Sequence, residues 1–324
     1  MYEFLIKLES GLHRRLRKRY DSIRTWNRIK VDSVWDLLLF VRTIQERRIK
    51  RELQETVGAS LVIDEKRGFG FLDSLERDYI EKVQQLAIAR RNLAKDQLIK
   101  QSNSKQYLQS IFDMSSVNRE NIFFLEGILK SHLVQEVSGY FGSKVPILHE
   151  ASIFYSPPSD KFGSDFEGSQ LYHRDGEGTK NLKIWILCDD TTEESGPTVL
   201  LDAASSSAIA REINYIPGMK IDDQTIESTS SYKNAEKFLA IGTKGTVFYT
   251  DTCRSFHYGS RTSTSSSRLV AMFHFVENNS SYYFPYISRT YTSRLKPLSP
   301  DVQAWAKESF TTRALLSKRL LYSN

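Results

Sequence analysis

Between about residue 145 and residue 277 the sequence breaks into short β-rich runs separated by turn clusters. This texture limits the fold more than any other feature. The runs are 145–155, 171–175, 182–187, 198–202, 245–249 and 269–276, with Pro157-Pro158-Ser159-Asp160 marking one of the breaks. Strands this short and this closely spaced suit an antiparallel sandwich or barrel. Upstream the periodicity is helical: Leu5, Leu8, Leu12 and Leu16 fall three and four apart, and Val34, Leu37, Leu38, Val41 and Ile44 repeat the pattern across 2–56. After Gly58 and Gly68-Phe69-Gly70, a helix capped by Asp73 or Ser74 carries Leu75, Tyr79, Val83, Leu86 and Leu93. A polar loop is expected at 100–106. A second helix over 118–140 carries Ile122, Leu125, Leu129, Leu133 and Val137, with Gly142 at or just past its end. A last helix starts near Ser299-Pro300-Asp301 and runs toward Leu321. Helices, then a β-core, then a helical tail make the expected class α+β.

The chain's formal charge of +6 is unevenly placed. Residues 1–58 hold 14 Lys and Arg against 8 Asp and Glu, while the remainder holds 31 of each, so the whole surplus lies in the first segment. It is densest at His13-Arg14-Arg15-Leu16-Arg17-Lys18-Arg19. Such an arm suits a protein partner, an anionic substrate or a membrane surface, with a solvated helix face as the plain alternative. No nucleic-acid-binding module accompanies it, so nucleic acid is not expected. The longest apolar stretch, near Val34 to Val41, is interrupted by Asp36, and no transmembrane span is expected. The first twenty residues lack the order of a secretory signal, and only Cys188 and Cys253 occur. A reducing, cytoplasmic setting is the expectation.

His173-Arg174-Asp175 has the look of a kinase catalytic loop. That chemistry needs an Asn five residues after the Asp, but position 180 is Lys and Asn181 comes one residue late. The nearest approach to Asp-Phe-Gly, Asp165-Phe166-Glu167-Gly168, carries an extra residue and precedes the triplet. Phosphoryl transfer is therefore excluded. On an extended strand, by contrast, His173 and Asp175 share a face and could hold one metal ion. A solvated loop pair is the bland alternative, and a third ligand is needed to displace it. Of His13, His132, His149, His257 and His274, His257 stands out, because the run Gly245 to His257 reads as a strand, a polar turn and a return. Two His and one Asp make the facial triad of non-haem iron oxygenases. Arg268, eleven residues after His257 at the head of an apolar strand, suits bidentate capture of a carboxylate.

The run SQLYHRDGEG, LKIWILCDDTTEESGPTVLLDAAS, GTVFYTDTCRSFHYGSR and SSRLVAMF resembles the phytanoyl-CoA dioxygenase family of Fe(II)/2-oxoglutarate-dependent oxygenases. The resemblance spans about 145–277, and less clearly 68–74. It implies a double-stranded β-helix (a jelly-roll, cupin-like core) with flanking helices, in a domain over 59–324 with its helical tail at 299–324. It also implies Fe(II) held by His173, Asp175 and His257, 2-oxoglutarate paired with Arg268, and O2 as oxidant. The expected reaction is hydroxylation of a small-molecule substrate, with release of succinate and CO2. Trp185, eleven residues before Gly196, falls where family members contact 2-oxoglutarate, although a core aromatic is an equal reading. Tyr155 is a weaker candidate for the same contact. Where the family has Pro-Gly-Ser-His, this chain has Asp202-Ala203-Ala204-Ser205, which puts the following loop in doubt. Asp175 argues against halogenation, whereas desaturation, epoxidation and cyclisation remain open. The rivals are a cupin-type zinc hydrolase or isomerase using the same triad, and a catalytically silent binding protein of the same fold. His274 could face the substrate, with a core histidine the plainer reading, and His149 reads as structural. Residues 165–168 are a candidate lid.

Overall fold

The computed structural model describes residues 63–98, 106–142, 146–161, 165–176, 180–216, 218–277, 298–308 and 315–316. The basic arm at 1–58, the loop expected at 100–106 apart from residue 106, and the end of the expected tail lie outside the described residues. The strands are β1 (Phe69–Leu72), β2 (Gln109–Asp113), β3 (Pro146–Ser156), β4 (Asn181–Leu187), β5 (Val199–Leu201), β6 (Lys237–Leu239), β7 (Val247–Thr250), β8 (His257–Tyr258) and β9 (Arg268–Glu277). The helices are α1 (Arg77–Leu98), α2 (Phe123–Leu129), α3 (Leu133–Tyr140), α4 (Ala203–Glu212), α5 (Asp223–Glu227) and α6 (Pro300–Glu308). The class is α+β, with all strand pairing in the two sheets antiparallel.

The larger sheet has the order β1-β7-β4-β9-β3-β2 and the smaller the order β6-β5-β8. β4 and β9 are interior strands of the larger sheet, which explains their nearly unbroken apolar sequences: both faces are covered. Along β4, Leu182, Ile184 and Ile186 join the cluster that contains Val83, Phe124, Leu125 and Val137 of the helices. The alternate residues Trp185 and Leu187 join a second cluster with Phe69, Phe248, Val270 and Met272. Leu200 and Phe238 of the smaller sheet belong to that second cluster, so the two sheets pack through it. The period of two in β4 and β9 thus sorts each strand into a helix-facing and a sheet-facing row. Each large side chain wholly withdrawn from water in these layers stabilises the fold by about 1.5–3 kcal/mol.

Three expectations need correction. The single helix over 118–140 is two, with α2 ending before Lys130 and α3 starting after His132. The apolar spacing runs on across the break, but the Ser131 hydroxyl donates to the Ile128 carbonyl at 2.7 Å, which competes with helix continuation. Gly142, with φ of +66°, does end the second of them. The run 171–175 is no full strand: only Tyr172 and His173 form bridges, to Ile221 and His257. Strands β1, β2, β6 and β8 and helices α4 and α5 were not anticipated from periodicity, because none of these short elements repeats a pattern long enough to register. Among the described residues no helix is long and apolar enough to cross a membrane.

Candidate metal centre

The site begins at the turn after β7. Asp251 Oδ1 accepts from the amides of Cys253 and Arg254, both at 3.1 Å, and the other carboxylate oxygen accepts from the Tyr140 hydroxyl. Asn181, the first residue of β4, clamps the same turn: its Oδ1 accepts from the amides of Thr252 at 2.9 Å and Cys253 at 3.2 Å, and its Nδ2 donates to Thr252 Oγ1 at 2.9 Å. Burial pushes the Asp251 carboxyl up to about 6, against the pull of its hydrogen bonds. The turn so fixed returns the chain to His257 on β8. There the His173 amide donates to the His257 carbonyl at 3.0 Å, and the His257 amide donates to the His173 carbonyl at 2.9 Å. The Asp175 amide donates to the Thr252 carbonyl at 2.9 Å, which ties the end of the His-x-Asp segment to the same turn.

These constraints bring the three residues together. Nε2 of His173 lies 3.7 Å from Asp175 Oδ1, and Nε2 of His257 lies 3.8 Å from it. One donor atom from each residue falls within 4.8 Å of the others, a cluster able to hold a metal ion. Donors about 2.0–2.2 Å from a first-row metal sit about 3 Å apart at right angles, so closure on an ion requires movements below an ångström. Both rings carry the expected second contact. Nδ1 of His173 is 2.8 Å from the Leu171 carbonyl and Nδ1 of His257 is 3.1 Å from the Ser255 carbonyl. A carbonyl only accepts, so each Nδ1 holds the proton and each Nε2 presents its lone pair to the cluster. Burial, reinforced by the neighbouring His257, holds the His173 ring well below the ordinary histidine range, and burial takes His257 down to about 4. Both rings are therefore neutral at neutral pH. Burial opposes ionisation of Asp175, but Lys183, His257 and His173 outweigh it and hold the carboxyl well below its usual range.

Arg268 lies 4% exposed at the start of β9. Its Nη1 donates to Thr198 Oγ1 and its Nη2 to Ser260 Oγ, each at 2.9 Å, while Nε has no partner. Among the described residues no carboxylate pairs with it, and burial alone pulls the guanidinium down to about 10. Its Nη1 is 3.3 Å from the point where a Cβ on Gly259 would stand. Gly259 is two residues past His257, a span of roughly 6–7 Å of extended chain. A buried cation with an unsatisfied donor, packed against the segment that follows His257, could pair with a carboxylate entering beside the triad.

The other candidates fall as follows. Trp185 faces the space between the sheets, but its Nε1 is already spent on Thr250 Oγ1 at 2.9 Å and its ring stacks on Phe248. Only its ring is left for a further contact. Tyr155 belongs to the helix-side cluster, whereas its neighbour Phe154 packs against the sheet-facing layer. His274 is a buried histidine with Nε2 3.2 Å from Asn181 Nδ2 and its ring edge-on to His149. Arg174 turns away from the cluster and donates from Nε to the Cys253 carbonyl at 2.7 Å. Arg261 forms a paired bond with Asp223 at 2.7 Å and lies 3.6 Å over the Tyr258 ring. Phe166 of the candidate lid packs on the same guanidinium at 4.4 Å.

Lys183, Asn181 and Asp251 were missed. The signal for Lys183 was legible, being a lone charge in an apolar strand at the same parity as Trp185. Asn181 and Asp251 act through backbone amides of a turn, and nothing in composition or spacing marks such a role.

No protein-family model and no curated protein matches the sequence. Several solved structures resemble the fold. EctD from S. alaskensis, solved with 2-oxoglutarate and 5-hydroxyectoine, is 17% identical, with 65% of this chain and 73% of that one covered at a TM-score of 0.44. SnoK, a non-haem α-ketoglutarate-dependent carbocyclase from nogalamycin biosynthesis, is 16% identical over 75% of this chain and 96% of that one, at 0.47. The epimerase SnoN, solved with Fe3+, α-ketoglutarate and nogalamycin RO, is 13% identical over 74% and 86%, at 0.45.

Proposed function

We propose that the chain is an Fe(II)- and 2-oxoglutarate-dependent oxygenase with a double-stranded β-helix core, as its resemblance to the phytanoyl-CoA dioxygenase family implies. The observation that carries the reading is Arg268: a buried guanidinium with no acidic partner among the described residues, set near a His-Asp-His cluster. A zinc hydrolase or isomerase would use the triad but leave this cation without a purpose. His173, Asp175 and His257 would hold the metal, with three positions open on its other side. Bound there, iron would supply O2 activation coupled to decarboxylation of 2-oxoglutarate to succinate, with oxidation of a small-molecule substrate. Hydroxylation is the outcome we assign.

The protein's own groups have defined tasks in this scheme. The two Nδ1–H···O=C contacts fix the tautomers before metal arrives. Arg268 orients the cosubstrate through its distal carboxylate, helped by the Thr198 and Ser260 hydroxyls that hold the guanidinium in plane. The ring of Trp185 would border the cosubstrate. The apolar layer of Phe248, Val270 and Met272 beside it would exclude water from the reaction.

The test is anaerobic addition of Fe(II) and 2-oxoglutarate to the folded protein. The expected result is the visible charge-transfer absorption of a 2-oxo acid chelated to iron, followed on admission of O2 by succinate release. Folded protein that binds neither component would refute the proposal. Activity with Zn(II) in the absence of O2 would favour the hydrolase instead.

A further inference from the structure

Lys183 stands where the packing pattern calls for an apolar residue. Its neighbours Leu182 and Ile184 join the helix-side cluster, and the same-face residues Trp185 and Leu187 join the cluster between the sheets. An ammonium carried on a strand covered on both faces costs stability unless it is paired. Here Nζ donates to Asp175 Oδ2 at 2.5 Å, with only 14% and 9% of the two side chains exposed. Opposite Lys183 in the register is His274, and opposite His274 on the next strand is Glu150. Burial pushes the Glu150 carboxyl up, and Lys183 is the main influence opposing it. One ammonium therefore lies within the influence of two carboxyl groups: Asp175, which it touches, and Glu150, which stands beyond His274 in the row across β4, β9 and β3.

The two oxygens of Asp175 are thereby distinguished. Oδ2 is taken by Lys183, while Oδ1 is the atom 3.7 and 3.8 Å from the two histidine nitrogens. A carboxylate can bind a metal through one oxygen or through both. Two-oxygen binding would occupy a fourth coordination position and leave two, whereas chelation of a 2-oxo acid together with O2 needs three.

We propose that Lys183 is a positioning residue: its hydrogen bond to Asp175 Oδ2 confines the carboxylate to one-oxygen ligation and so keeps the third open position available to the cosubstrate. This rests on the reading of the triad as an Fe(II)/2-oxoglutarate centre. Lys183 touches neither metal nor cosubstrate in this role. It acts through Asp175, and its charge lowers the negative potential that an incoming dianion would meet.

The experiment compares wild type, Lys183→Met, Lys183→Gln and Lys183→Arg, each checked for a native circular dichroism spectrum. Mn(II) and then 2-oxoglutarate are titrated calorimetrically, and the anaerobic Fe(II)–2-oxoglutarate absorption is recorded. Lys183→Met is expected to keep Mn(II) affinity within about tenfold, to weaken 2-oxoglutarate binding by at least about tenfold, and to shift or weaken the absorption. Lys183→Arg, which retains a donor cation, should recover most of both. Met and Gln variants that match wild type in affinity and spectrum would overturn the inference. So would loss of metal and cosubstrate together with no recovery in the Arg variant, because that pattern marks a merely structural lysine. If Lys183→Met does not fold, Lys183→Gln supplies the comparison. Wild type lacking the absorption altogether would instead remove the underlying oxygenase reading, a different result from a wild type that shows it and variants that do likewise.

Discussion

His173 and His257 face one another as a reciprocal antiparallel pair, each amide donating to the other's carbonyl at 3.0 and 2.9 Å. Directly opposed residues in such a pair project to the same side of the sheet, and the two ring centroids lie 4.1 Å apart. The backbone pairing therefore sets the distance between two candidate ligands that are 84 residues apart in the chain (257 − 173).

Replacing one ring should then remove the metal without disturbing the pairing, because the pairing is all main chain. His173→Ala is expected to lower divalent-metal affinity by more than about a hundredfold, beyond the 10–100-fold typical of losing an outer partner. Its thermal transition without metal should stay within a few degrees of wild type. Calorimetric titration with Mn(II) measures the first quantity, and unchanged affinity would take His173 out of the ligand set.

Arg268 offers the opposite trade. A buried guanidinium with no counter-ion among the described residues burdens the free protein, a cost that a bound carboxylate would offset under the proposed function. Arg268→Met keeps most of the volume and removes the charge. The variant without cosubstrate should be at least as stable as wild type in urea unfolding, while its 2-oxoglutarate affinity falls by at least about tenfold and Mn(II) affinity is retained. A variant both less stable and equally good at binding 2-oxoglutarate would show that the cation serves the fold.

The sequence made the long-range part of this site readable and concealed the local part. His173, Asp175, His257 and Arg268 could be picked out because their chemistry is unusual among strands and turns, and because their order resembles a family pattern. The bonds that set their distances are invisible at that level. The carbonyls of Leu171 and Ser255 that orient the rings belong to residues of no special type. The face that Tyr155 takes was likewise hidden, because β3 carries a register irregularity between Leu148 and Glu150 that counting along the strand does not reveal. The break between α2 and α3 was hidden for a related reason, since the apolar spacing continues across it and nothing in residue type marks the interruption.

Gly196 tests the turn that leads into β5. Its φ is +65°, and a Cβ there would lie 2.6 Å from the backbone of Arg261 and Thr262. Neither the conformation nor the neighbours can yield cheaply, since both sides of the contact are main chain. Gly196→Ala is expected to destabilise by about 2–4 kcal/mol, read as a lower urea midpoint with an unchanged slope. Because Thr198, two residues on, accepts from Arg268, 2-oxoglutarate binding should weaken as well. A loss below about 0.5 kcal/mol would mean the turn relaxes freely.

Asp251 gives the protein a pH dependence with a definite sign. Burial raises its folded value to about 6, against about 3.9 in the unfolded chain. A carboxyl raised on folding contributes stability that is complete below the unfolded value and is lost as pH climbs through the folded one. The loss, spread over roughly two pH units, amounts to about 2 kcal/mol between pH 4 and pH 7. His257, taken down by burial to about 4, slopes the other way in the same window, so the carboxyl's share is isolated only by comparison with a variant that lacks it. Asp251→Asn keeps an oxygen for the Cys253 and Arg254 amides and cannot ionise. The stability of wild type relative to Asp251→Asn should rise by about 2 kcal/mol on going from pH 7 to pH 4, measured by urea unfolding of metal-free protein at each pH. A difference that stays constant across that range would place the Asp251 carboxylate in an environment that tolerates its charge, and would remove burial as the cause of its shift.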